Sequence, residues 1–135
     1  MNTNPKISVI TVCKNAAQYI RESIESVVSQ DYSNVEYIVI DGQSTDNTLA
    51  ILEEYKSQIH IIKSEADSGP ADALTKGFAL ASGDVLCWLN ADDKFHPYAL
   101  SSVAKIFSEL PQVNWLTGFP SWYTPDGACV NELYI

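Results

Sequence analysis

Apolar residues follow two patterns along the chain, and the two patterns alternate. Four short runs rich in β-branched residues predict buried strands, at residues 7–13, 35–41, 59–62 and 85–89. Apolar positions that recur every three or four residues predict amphipathic helices, at residues 20–28, 49–55, 70–81 and 97–107. Residues 114–118 are predicted as a fifth strand. This order predicts an α/β fold with a mostly parallel sheet and helices on both of its faces.

The pattern changes after Gly118. Two short strand-like segments, residues 122–124 and 128–130, flank a Pro-Asp-Gly turn signal at residues 125–127. A β-hairpin is therefore predicted at the C-terminal end. We divide the chain into one domain over residues 1–118 and a hairpin-bearing segment over residues 119–135.

Length and charge limit the possible partners. A chain of 135 residues suits one domain, and a net charge of −9 argues against nucleic acid or an anionic membrane as the main partner. A nucleotide stays possible as a partner because a bound cation reverses the sign of the local charge. No apolar run approaches the ~20 residues of a membrane span. The three widely spaced cysteines favour reduced thiols in a cytoplasmic protein over disulfides or a zinc site.

Polar residues follow each of the first four predicted strands. They are Lys14 and Asn15, then Asp41 and Ser44, then Asp67 and Ser68, and finally Asn90, Asp92 and Asp93. Ligands of parallel α/β sheets gather at the carboxyl ends of the strands. We therefore expect these side chains to share one rim of the sheet.

The pair Asp92-Asp93 is the most informative of these features. Adjacent carboxylates at the end of a buried strand repel each other and lose solvation. A divalent cation with a preference for oxygen ligands, Mg²⁺ or Mn²⁺, would remove that repulsion. The alternative is a solvated turn that caps the following helix.

Other polar residues also allow two interpretations. Asp41 can accept a hydrogen bond from a nucleobase N–H, or it can begin an Asx turn. Lys76 can reach a diphosphate or a base oxygen, or it can pair with Asp72 one helical turn away. Ser44 and Asp46 favour the capping of a helix. The chain lacks both a Gly-x-Ser-x-Gly elbow and a Gly-x-x-x-x-Gly-Lys loop, which argues against hydrolases and phosphate-loop enzymes.

Seven motifs in a fixed order carry a resemblance to a known family. They are ISVITVCKN at 7–15, SVVSQ at 26–30, EYIVIDGQSTDNT at 36–48, DSG leading to DA over 67–73, KG at 76–77, ASGD at 81–84, and LNADD at 89–93. Together they make the chain resemble glycosyltransferase family 2, over about residues 5–118. The resemblance implies the Rossmann-like GT-A fold that binds nucleotide sugars.

The resemblance also implies a set of binding residues: Thr11, Cys13, Asn15, Asp41, Asp67, Lys76 and Asp92. Within it, Asp41 would accept from the base, and Asp67 and Lys76 would lie beside the base or the diphosphate. Asp92 would approach the ribose or the metal. Asp93 would be the main protein ligand of a Mg²⁺ or Mn²⁺ ion that bridges the two phosphates.

The activity implied by the resemblance is transfer of a sugar, with inversion, from a nucleotide-diphosphate sugar to an acceptor hydroxyl. A UDP-sugar is the expected donor, and a glycan or lipid-linked molecule in polysaccharide assembly is the expected acceptor. The expected location is the cytoplasm, or the inner face of the membrane as a peripheral protein. Self-association is expected because the hairpin after Gly118 would leave an unpaired sheet edge and an exposed apolar face.

The chain departs from the family pattern in three ways. Lys14 stands where many relatives carry an aromatic or small residue, and Thr75 replaces a frequent Asn. The family's general base lies well beyond the metal motif, so we assign no catalytic base and expect a truncated chain. Two alternatives remain: a non-catalytic nucleotide-binding or assembly module, and a nucleotidyltransferase. The lack of a Gly-rich basic loop after the first strand argues against the second.

Overall fold

The structure, a computed structural model, describes residues 2–118 and 121–130. Its elements in chain order are β1 (Ile7–Cys13), α1 (Ile20–Val28), β2 (Val35–Asp41), α2 (Thr48–Glu54), β3 (Ile61–Ser64), α3 (Pro70–Leu80), β4 (Val85–Asn90), α4 (Ala99–Glu109), β5 (Trp122–Tyr123) and β6 (Cys129–Val130). The alternation of strands and helices predicted from the sequence is confirmed.

A parallel four-stranded sheet forms the centre of the fold, in the order β3-β2-β1-β4. The register places Cys13 of β1 opposite Asp41 of β2, and Val12 of β1 opposite Asn90 of β4. The polar residues that follow these three strands therefore meet at one rim, as predicted.

Helices cover both faces of the sheet because successive side chains of each strand point to opposite faces. On one face, Val9 and Tyr37 pack in a buried cluster with residues of α1, α2 and α4. On the other, Ile10 and Ile40 pack against Ala73 of α3. The α/β architecture with helices on both faces is confirmed.

The predicted fifth strand is wrong. Residues 114–118 form no strand, and Trp115 is 71% exposed. After α4 the chain makes a turn in which the Val113 N–H donates to the Leu110 carbonyl, and β4 stays at the edge of the sheet. A short apolar run becomes a strand only where a neighbour accepts and donates its backbone hydrogen bonds.

The third strand begins two residues later than predicted. The Ile59 N–H donates to the Tyr55 carbonyl, so this residue closes a turn that follows α2 instead of starting the strand. The strand then continues to Ser64, which lies opposite Asp41. The later end of the strand matters because it brings the Ser64 hydroxyl to the rim of the sheet.

The predicted C-terminal hairpin is present as the antiparallel pair β5 and β6. Its turn contains Gly127 at φ +86°, a conformation that favours glycine. The predicted division between residues 1–118 and 119–135 stays a prediction. Within the described ranges, no helix combines the length and the apolar character needed to cross a membrane.

Candidate functional site

The loop after β1 is held by the loop after β2. Asn15 has a left-handed backbone at φ 51°, which asparagine tolerates better than most residues. Its N–H donates to the Ser44 hydroxyl at 2.8 Å, and its side-chain oxygen accepts from the Thr45 N–H at 2.7 Å. The next residue, Ala16, donates its N–H to the Thr48 hydroxyl at 2.8 Å. The two loops therefore form one ordered edge of the rim.

Asp41 lies beneath these loops and is completely buried. One carboxylate oxygen accepts from the Ser44 N–H at 3.0 Å and from the Ser64 hydroxyl at 2.6 Å. The other accepts from the Ser44 hydroxyl and from the Cys13 thiol, with a sulfur–oxygen distance of 3.7 Å. These donors compensate the burial of the charge and fix the loops, but they leave the carboxylate unexposed.

Thr11 and Cys13 lie mainly inside the protein. The Thr11 hydroxyl shares a 3.1 Å hydrogen bond with the Tyr37 hydroxyl, and both side chains are buried. Burial, followed by the negative charge of Asp41, raises the pKa of the Cys13 thiol. The thiol therefore stays protonated, as its donation to Asp41 requires.

Asp67 lies over Gly42, the residue that follows β2. A Cβ atom placed on Gly42 would come within 2.5 Å of the Asp67 Oδ2 atom. The Oδ1 atom accepts from the Gly69 N–H at 3.0 Å. The absence of a side chain at Gly42 thus provides the space that the Asp67 carboxylate occupies.

Lys76 is engaged by three acceptors near its own helix. Its ammonium group donates to the Ala66 carbonyl at 2.7 Å and pairs with Asp72 at 3.2 Å and Glu65 at 3.4 Å. The Asp72 pair is the helical pair that the sequence allowed. These contacts join the loop before α3 to the first turns of that helix.

Asp92 and Asp93 follow β4 and are both exposed. The Asp93 N–H donates to the Asn90 carbonyl at 3.1 Å, and the Asn90 side-chain amide donates to the Asp93 carboxylate at 3.1 Å. The turn therefore fixes the backbone of Asp93 and leaves much of its carboxylate accessible.

A cleft of about 350 Å³ opens at the carboxyl ends of β1 and β4. Lys14 and Asn15 line it on the β1 side, Asn90 and Asp92 line it on the β4 side, and Pro70 of α3 also contributes. A second depression, of about 530 Å³, is lined mainly by residues of α1, together with Ser29 and Lys94. The first cleft is the candidate site because it lies where parallel sheets bind ligands.

The structure brings some of the predicted residues to this cleft and separates others. Asn15, Cys13 and Asp92 line it, whereas Asp41 and Thr11 are fully buried. Ser64 was not predicted as a site residue, because the predicted third strand ended too early to place it beside Asp41. Gly42 was not predicted either, because its importance depends on Asp67, a residue distant in the chain.

Two comparisons of sequence identify relatives of the chain. The sequence model of glycosyl transferase family 2 matches residues 8–126. A Bacillus subtilis protein, TuaG, named as a candidate glycosyltransferase of teichuronic acid biosynthesis, is 34% identical over 97% of this chain and 53% of its own length. A Haemophilus influenzae protein, named only as a glycosyltransferase, is 38% identical over 90% of this chain and 38% of its own length.

Solved structures of glycosyltransferases share the fold. Staphylococcus aureus TarS, residues 1–349, in complex with UDP-GlcNAc gives a TM-score of 0.73 at 28% identity, over 77% of this chain and 31% of that one. The mannosyltransferase PcManGT of Pyrobaculum calidifontis, in complex with GDP-Man and Mn²⁺, gives a TM-score of 0.69 at 25% identity, over 76% of this chain and 32% of that one. The chain thus spans about a third to a half of the length of these proteins.

Proposed function

Because the chain belongs to glycosyl transferase family 2, we propose that the cleft beside β1 and β4 binds a nucleotide-diphosphate sugar. The observation that carries this proposal is the meeting of Asn15 and Lys14 with Asn90 and Asp92 around one opening at the strand ends. The complexes of TarS with UDP-GlcNAc and with UDP support a UDP-sugar as the donor.

The proposed reaction is transfer of the sugar to an acceptor hydroxyl with inversion, in polysaccharide or glycan assembly. The name of TuaG, a relative that this chain covers over 53% of its length, supports that setting. A glycan or lipid-linked acceptor and a peripheral cytoplasmic location belong to the same proposal. They concern the whole protein, and this chain would supply its donor-binding part.

The exposed carboxylates after β4 fit a Mg²⁺ or Mn²⁺ ion that is shared with the donor. The described residues contain no group of three or more His, Cys, Asp or Glu side chains able to hold a metal alone. Mg²⁺ is usually bound by one or two carboxylates together with phosphate oxygens and water. We propose Asp93 as the main ligand, with Asp92 beside it. When bound, the ion would stabilise the charge that develops on the departing diphosphate.

The base would be recognised by a carboxylate near Gly42. The predicted contact between Asp41 and the base stays a prediction. The Asp41 carboxylate is buried and already accepts hydrogen bonds from Ser44 and Ser64, which favours a role in positioning the loops around the cleft. Asp67 lies beside the same loop with one oxygen that accepts no hydrogen bond within the described chain. We propose that this oxygen accepts from a base N–H.

Titration calorimetry with UDP and Mn²⁺ tests the donor site. We expect Asp93→Asn to weaken UDP binding by at least about tenfold, because it removes a charged ligand of the ion. Asp31→Asn is the matched control, since Asp31 is an exposed acid in the loop after α1. EDTA should reproduce the loss in the unsubstituted protein.

Two results would overturn the proposed donor site. One is the absence of heat with both UDP and GDP in the presence of Mn²⁺. The other is equal affinity of the Asp93→Asn and Asp31→Asn variants. UDP binding that survives EDTA would remove the metal from the proposal while keeping the nucleotide.

A non-catalytic nucleotide-binding module is the second candidate. The hairpin segment offers Asp126 and Glu132 as possible general bases. Asp126 accepts from the Thr124 hydroxyl within the hairpin turn, which favours a structural role for it and therefore a non-catalytic module. Glu132 lies outside the described residues. Release of UDP from UDP-GlcNAc, measured with and without an acceptor, separates a transferase from a binding module.

A further inference from the structure

We propose that Lys14 is the residue that contacts the diphosphate of the donor from the β1 side of the cleft. This inference rests on the proposed function and adds a specific residue to it. Lys14 lines the same opening as Asn90 and Asp92 and is exposed. A diphosphate between these two sides would meet an ammonium group on one side and the acidic turn on the other.

Charge favours a cation on the β1 side of the cleft. The chain carries a net charge of −9, and acidic residues occupy the rim after β2, β3 and β4. A nucleoside diphosphate adds further negative charge, so its binding requires compensating cations near the phosphates. The proposed metal ion would supply part of that charge, and a lysine on the opposite side would supply more.

Few basic side chains of the described residues are available to a ligand. Six of the eight basic residues form ion pairs within the described chain: Lys6, Arg21, Lys56, Lys63, Lys76 and Lys94. In residues 2–118 and 121–130, Lys14 and Lys105 form no ion pair. Lys105 belongs to α4 and does not line the cleft. Lys14 is therefore the unpaired cation of the site in this part of the chain.

Lys76, the other lysine considered for the diphosphate, is already engaged. Lys76 was predicted beside the base or diphosphate, but its ammonium group already has Ala66, Asp72 and Glu65 as partners. Contact with a phosphate would require it to give up these interactions. Lys14 is exposed and forms no ion pair with the described residues, so it would give up no ion pair on binding a phosphate.

The position of Lys14 in the chain also favours this contact. Lys14 lies between the last residue of β1 and Asn15, whose backbone and side chain are held by Ser44 and Thr45. The backbone beside Lys14 is therefore fixed, while the residue itself is exposed. A flexible four-carbon stem on a fixed backbone suits a point-charge contact with a phosphate.

Calorimetric titration of Lys14→Gln with UDP, UMP and uridine, each with Mn²⁺, tests this assignment. We expect about tenfold weaker UDP binding and unchanged uridine binding, because one charged hydrogen bond to phosphate is lost. Lys105→Gln is the matched control, and it should bind UDP like the unsubstituted protein. Lys14→Arg should retain most of the affinity. Thermal melts will verify that each variant is folded.

Each other outcome decides against the assignment in a distinct way. Equal UDP affinity of Lys14→Gln and Lys105→Gln would overturn the role of Lys14 and leave the proposed function standing. An equal loss for UDP and uridine would place Lys14 at the base or ribose and overturn the diphosphate contact. Failure of the unsubstituted protein to bind UDP would overturn both proposals together.

Discussion

At the scale of single residues, Gly42 shows how a missing side chain can shape a binding site. Because a Cβ atom there would lie 2.5 Å from the Asp67 Oδ2 atom, any larger residue must displace that carboxylate. Asp67 is only partly buried, so its side chain has room to move. The cost of such a substitution should therefore fall on ligand binding more than on folding.

We predict that Gly42→Ala weakens UDP binding several-fold while the melting temperature changes little. The physical reason is the displacement of Asp67, which we propose as the acceptor of a base N–H. Gly118→Ala is the matched control, because an added Cβ at Gly118 meets nothing within 4 Å. Calorimetry and thermal melts measure the two effects. Unchanged UDP affinity in Gly42→Ala would argue against the base contact of Asp67.

At the scale of elements, the approach of α3 to the sheet depends on Gly77. A Cβ atom at this position would collide with the Ile10 side chain of β1 and lie 3.4 Å from Ile40 of β2. Both isoleucines are fully buried, so neither can move into solvent. The glycine lets the helix pack directly on the centre of the sheet.

We predict that Gly77→Ala destabilises the protein, although helix propensity alone favours the alanine by ~1 kcal/mol. Overpacking of a core costs roughly 1–3 kcal/mol, which outweighs that gain. Urea unfolding measures the difference. Ala79→Gly, at an exposed position of the same helix, is the control and reports the propensity term alone. Higher stability of Gly77→Ala would contradict the close packing of α3 on β1.

At the scale of the whole molecule, a buried carboxylate joins three segments at the amino ends of the strands. Glu36 of β2 accepts from the Ser8 hydroxyl of β1 at 2.5 Å, from the Ser82 N–H at 2.8 Å, and from the Lys6 ammonium at 3.1 Å. Burial acts to raise the pKa of Glu36, but these donors outweigh it and lower the pKa to about 2.

We predict that this carboxylate makes stability depend on pH. The pKa of Glu36 is about 2 in the folded protein, below its ordinary value of about 4.5. The stabilisation by the ionised carboxylate is therefore complete above about pH 4.5 and is lost as the pH falls towards 2. Glu36→Gln should lower the free energy of unfolding by about 2 kcal/mol at pH 7. The deficit should shrink between pH 5 and pH 2.

Urea unfolding across that pH range checks this, with Glu109→Gln on the exposed end of α4 as the control. A deficit that stays constant from pH 7 to pH 2 would show that Glu36 acts through packing and not through its charge.

The sheet is asymmetric at its two edges. The β3 edge is four residues long and contains Lys63. The β4 edge is six residues long and uncharged, and its Leu86 and Trp88 side chains are about half exposed. Long uncharged edges favour further pairing. The self-association predicted for the hairpin after Gly118 stays a prediction. The β4 edge is a second surface through which copies could pair, and sedimentation is the direct measurement of both.

The sequence by itself determined the strand–helix order, the parallel sheet and the rim on which polar residues meet. These follow from periodicity and from the position of residues such as Asn15 and Asp92 one or two steps beyond buried strands. Such features are local, because each is set by residues that are neighbours in the chain. The family resemblance drew on the same local motifs.

Only the tertiary structure decided which of those rim residues face the cleft. Asp41 is covered because Ser64 and Cys13 reach it from neighbouring strands, and Asp67 fits because Gly42 leaves space for it. Residues 114–118 have a strand-like composition but do not pair with the open edge of β4. These outcomes depend on register and on contacts between residues distant in the chain, which no local pattern encodes.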